Sequence, residues 1–85
     1  MKAISTESFS KKLLKEKARC FSLFGSKKYI YVLMKNSVYM LSFNYFTVLT
    51  YLIPGDDPTR FNDSPTYKEI PKEELIIKLI VEKLK

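Results

Sequence analysis

Of the eight Lys/Arg in the first 28 residues, six could act together: Lys11, Lys12, Lys15, Arg19, Lys27 and Lys28. Lys11, Lys15 and Arg19 recur at i, i+4 and i+8. On a helix that spacing makes one outward ridge, with Lys12 beside it. Such a ridge could track phosphate oxygens, and binding of that kind weakens steeply with salt because it releases counterions. Tyr29, Tyr31, Tyr39, Tyr45 and Phe46 follow among β-forming residues. Rings bared on a sheet can stack the bases of single strands. The plainer reading stands beside this one: a lysine face on a helix is ordinarily solvated, and aromatics in strands are ordinarily core. No ribonucleoprotein signature, GXXG loop, zinc-finger spacing or clear helix-turn-helix pattern is present.

Other chemistry has less material. Asp56, Asp57 and Asp63 could hold a hard cation through oxygen ligands. No Glu stands at the twelfth position of an EF-hand loop, and no motif ties Lys68 or Lys72 to these carboxylates as a metal-dependent nuclease would want. In "GDDPT" and "FNDSPT" the Asp residues suit turns instead. The chain has no histidine, which excludes a Ser-His-Asp triad and an imidazole base. Its single cysteine, Cys20, excludes an intrachain disulfide and a tetrahedral cysteine zinc site. Arg19 could lower the Cys20 pKa, but a small buried hydrophobe is the favoured role. The expectation is a protein that is not an enzyme and takes no cofactor and no metal.

These residues need elements to hold them. Eighty-five residues make one domain with a modest core. The formal charge of +6 is uneven. Residues 1–35 carry nine Lys/Arg against Glu7 and Glu16, while residues 36–53 carry no charge. A helix is predicted over about 6–19, with Ser5 or Thr6 as N-cap, Glu7 in the first turn, and Phe9, Leu13, Leu14 and Ala18 facing inward. Strands are predicted near 20–24, 28–35, 38–43 and 46–53, cut by Gly25-Ser26, Asn36-Ser37 and Asn44-Tyr45. Residues 54–70, with three of the four prolines, read as a long loop. Pro71, Glu73 and Glu74 open a helix over 71–85 that Lys83 and Lys85 close. Its apolar face is broader than a simple surface helix needs. Ile76, Ile77, Ile80, Val81 and Leu84 are therefore a candidate partner or dimer face. The uncharged run could be long enough, from Tyr29 to Ile53, to cross a membrane. Lys35, Asn36 and Asn44 interrupt it, however, and a lysine at a span's centre costs about 2.5–3.5 kcal/mol. Strands buried by helices are the better reading.

The resulting expectation is an α+β domain over residues 1–85. It has an N-terminal helix, a three- to four-stranded antiparallel meander, a long loop, and a C-terminal helix packed on the sheet. The start "MKAISTESFSKKLL" lacks the apolar segment of a secretory signal, so a cytoplasmic location without a membrane is expected. The style of the chain, rich in Lys, Ile, Leu and Tyr and without Gln, His or Trp, resembles small proteins encoded by crenarchaeal viruses and plasmids. That resemblance implies an intracellular viral protein of a hot host, often a small DNA-binding regulator or an inhibitor of a host protein. The tail "IPKEELIIKLIVEKLK" also resembles the terminal helix of small archaeal chromatin proteins with SH3-like barrels. The glycine-rich, charged strands of that family are missing, so its DNA-binding residues are not carried over. Two functions remain. One is nucleic-acid binding, with Lys11, Lys12, Lys15, Arg19, Lys27 and Lys28 on phosphate. The other is a protein-interaction module, an inhibitor or assembly subunit, acting through the C-terminal helix or a sheet edge.

Overall fold

The structure, a computed structural model, describes residues 2–26, 28–35, 37–44, 47–62 and 64–83, the last two by their backbone alone. Ser5, in extended conformation, caps the first helix, α1 (Thr6–Lys15), by accepting a hydrogen bond from Ser8 N. Phe9 and Leu13 on its inner side are fully buried. The helix ends at Lys15, four residues before the predicted end, with Glu16 as its C-cap. No Gly or Pro breaks it there. The stop is tertiary: Lys72 Nζ donates to the Glu16 carbonyl at 2.8 Å, and Lys35 Nζ lies 2.9 Å from the Glu16 carboxylate. The chain then enters the sheet directly. Ala18 consequently lies beyond the helix, and Leu14 is 65% exposed rather than inward.

Among the described residues, six strands form one antiparallel sheet: β1 (Lys2–Ile4), which precedes α1, then β2 (Arg19–Leu23), β3 (Tyr29–Met34), β4 (Ser37–Phe43), β5 (Val48–Ile53) and β6 (Tyr67–Ile70). Their order is β1-β5-β4-β3-β2-β6. The predicted meander is β2 to β5, and the uncharged run forms the neighbouring strands β4 and β5. The expectation of three to four strands falls short because each edge gains one. β1 adds beside β5, and β6, cut from the expected loop, adds beside β2. The first hairpin turns at Phe24 and Gly25, both with positive φ (52° and 73°), as a type I′ turn requires. Ser26 N donates to the Leu23 carbonyl across it. Gly25 supplies that conformation freely, whereas Phe24 holds it as an exposed aromatic.

Strand alternation divides the core in two. Cys20, Ile30, Val32, Met34, Tyr39, Leu41 and Phe43 face α1 and the second helix, α2 (Lys72–Lys83), which contributes Leu75 and Leu79. Phe21 and Val38 point through the other face and are covered by Phe61. Phe61 sits on a short 3₁₀ helix (Pro58–Phe61) within the expected loop. The long linker is thus a partial third layer. No helix among the described residues is long and apolar enough to cross a membrane.

Candidate functional site

The helices lie side by side, and the start of α2 meets the end of α1 through Lys72 and Glu16. Leu75 and Leu79 anchor α2 on the sheet. Helical periodicity then turns Ile76, Ile77, Ile80 and Val81 toward one flank. Ile76 is partly buried, but Ile77, Ile80 and Val81 remain 62%, 54% and 48% exposed. On α1, Leu14 faces the same side. Between the helices runs an open groove of about 530 Å³, lined by Leu13, Leu14, Val48, Ile76, Leu79 and Ile80. Thr6, Glu7, Ser10 and Lys11 form much of its polar border. Of the five residues expected on the partner face, Ile76 and Ile80 line this groove, Ile77 and Val81 are exposed on α2 outside its lining, and Leu84 lies outside the described residues. Leu14 was missed by sequence reasoning because i, i+4 spacing alone cannot separate it from its buried neighbour Leu13.

The expected phosphate-binding set is divided. Lys11, Lys12 and Lys15 are exposed on α1, with Lys11 Nζ 3.9 Å from Glu7. Arg19 is not on that ridge. It stands on β2 and reaches the far face of the sheet, where its Nε and Nη2 donate to Glu69 at 3.0 and 3.1 Å. Its guanidinium carbon lies 5.1 Å from the Phe21 ring centroid. This hydrogen-bonded pair raises the pKa of Arg19 and lowers that of Glu69. Lys28 sits at the opposite end of β3, whose six residues span roughly 20 Å. Its Nζ lies 5.7 Å from the Tyr29 ring. Lys27 lies outside the described residues.

The rings divide as well. Tyr39 is buried toward the helices, 5.3 Å from Phe9. Tyr29 and Tyr31 alternate onto the far face and are half-buried. Tyr45 and Phe46 lie outside the described residues. Tyr31, Phe61 and Tyr67 enclose the Arg60 guanidinium carbon at 5.2, 4.8 and 5.5 Å from their centroids. Tyr31 is thereby occupied by a cation from its own chain, and burial, ahead of its charged neighbours, raises its pKa. Asp56 Oδ2 is shielded from solvent and lies 2.9 Å from Arg60 Nη2, a charge contact whose angle falls short of a hydrogen bond.

Asp57 caps the 3₁₀ helix, accepting from Thr59 N at 2.9 Å and Thr59 Oγ1 at 2.7 Å. Those bonds lower its pKa. Asp63 lies outside the described residues. Among the described residues, no three His, Cys, Asp or Glu side chains come together as metal ligands. Cys20 faces the helices, and burial pushes its thiol up to about 12, outweighing the opposing pull of Lys72. A reactive thiolate activated by Arg19 is therefore not what this site holds, since Arg19 points to the other face. Compared with known proteins, the chain matches no family model, no curated protein and no solved structure.

Proposed function

We propose that the chain is a small, non-catalytic protein-interaction module of the inhibitor or assembly-subunit kind, acting through the α1–α2 flank. The observation that carries this reading is the α1–α2 groove, which exposed Leu14 and Ile80 line, with Ile77 and Val81 exposed on the adjoining side of α2. A contiguous apolar patch on a small folded chain marks an interaction surface, whereas single exposed aliphatics do not. An amphipathic helix laid into a groove between two helices is a familiar way to use such a surface.

Site-specific photocrosslinking tests it. A crosslinking side chain at Ile77 or Ile80 should yield a discrete heavier protein species in the producing cell. The same group at Lys12 or Thr59, both exposed but off the flank, should yield none. Equal labelling at all four positions, or none at Ile77 and Ile80, rejects the flank.

A second reading retains nucleic acid. It draws on Lys12 and Lys15, which are exposed on α1 and form no ion pair among the described residues. It places phosphate on Lys11, Lys12 and Lys15 only. Arg19 is held by Glu69, and Lys28 stands at the far end of the sheet.

A further inference from the structure

We infer that the occupant of the α1–α2 flank is a second copy of this chain, giving a twofold dimer. The inference rests on the reading of that flank as a docking surface and names its partner.

Three observations lead there. The first is shape. Ile77 and Val81 are four residues apart on α2 and make a ridge. The groove lined by Leu14, Ile76 and Ile80 runs directly beside it. Ridge and groove thus lie side by side on one surface. A twofold axis seats each copy's ridge in the other's groove, the ridges-into-grooves packing of helices in an isologous interface. The second is charge. A chain of net charge +6 is repelled by its own copy at long range. This flank is apolar at its centre, and its border mixes Glu7 with Lys11, while Glu73 stands one turn before Ile77. Among the described residues, the two signs are therefore mixed at this border. The third is area. The chain exposes 5747 Å², against roughly 5,200 Å² for a folded monomer of its mass. A stable interface covers about 800 Å² per partner.

The test is sedimentation equilibrium and light scattering on the full chain from about 1 μM to 1 mM, a range that spans ordinary dimer affinities. The wild type should move from monomer to dimer. The double variant Ile77→Lys, Val81→Lys places two cations in the interface centre and should weaken association at least about 100-fold. Both positions are half exposed or nearly so, so its circular dichroism should match the wild type. Should that variant fail to fold, Ile77→Gln alone serves, with a smaller shift in the same direction. A wild type that stays monomeric at the highest concentration overturns the inference. So does a dimer that both variants leave intact, which would mean a sheet edge joins the copies. The crosslinking at Ile77 separates the two levels. A product at twice the chain mass supports the second copy. A product of another mass overturns the second copy but keeps the flank as a docking surface. No product removes both.

Discussion

Lys15 and Arg19 are four positions apart in the chain, yet they serve opposite sides of the sheet. Lys15 ends α1, whereas Arg19 starts β2 and bonds Glu69 across to β6. Helical spacing placed them on one ridge only on the assumption that the helix continued. The Arg19–Glu69 bond has a pH signature of definite sign. Glu69 is held below its ordinary value of 4.5, chiefly by the hydrogen bonds from Arg19. The stabilisation is therefore complete above that value and is lost as pH falls through the lowered one. Both side chains are 52% exposed, so the effect is small and falls further with salt. Urea denaturation at stepped pH below 4.5 should show a shallower acid limb for Glu69→Gln than for wild type. The limb should not vanish, because Asp57 is lowered by its bonds from Thr59. Identical limbs would mean the pair contributes nothing in solution.

At the scale of elements, α1 sets Leu13 and Leu14 side by side in sequence with opposite fates. Leu13 is fully buried against the sheet, and Leu14 is 65% exposed over the groove. Leu13→Ala leaves a cavity and should cost about 2–5 kcal/mol. Leu14→Ala, measured at low protein concentration, should change stability by no more than about 0.5 kcal/mol. Comparable losses at both positions would refute the packing of α1. The strands were legible to a similar depth. The meander β2–β5 was visible because β-branched and aromatic residues run between turn residues. β1 is three residues long, too short for any period to register. β6, "YKEI", has two charged residues in succession and no alternation, and it lies within a proline-bearing stretch whose turn residues argue for loop. Edge strands are specified by the partner that receives them, here β5 and β2, more than by their own residues.

Over the whole molecule, the cations expected to act together are distributed around the sheet. Among those of them that are described, Lys11, Lys12 and Lys15 share a surface, and this limits what nucleic-acid binding can look like. Three phosphate contacts on duplex DNA imply an affinity loss of about 40-fold between about 50 and 200 mM salt. Retention of labelled duplex at those two concentrations measures it. Lys12→Glu with Lys15→Glu should remove it without unfolding the protein, since both side chains are exposed. Absence of retention at the lower concentration eliminates this reading. A steeper dependence would mean further cations contribute.

Local chemistry in the chain was enough to place two helices around a central antiparallel meander. Ser5 and Pro71 mark helix starts, the apolar periods separate helix from strand, and Gly25 marks a reversal. These are interactions over a few residues, so sequence alone carries them. Which cations meet, which rings stay bare and which leucine is hidden depends on segments distant in the chain. Phe61 covers Phe21 from forty residues away, Glu69 captures Arg19 from fifty, and α2 leaves Leu14 on an open flank. Burial and pairing are properties of the assembled layers, and only the tertiary structure could decide them.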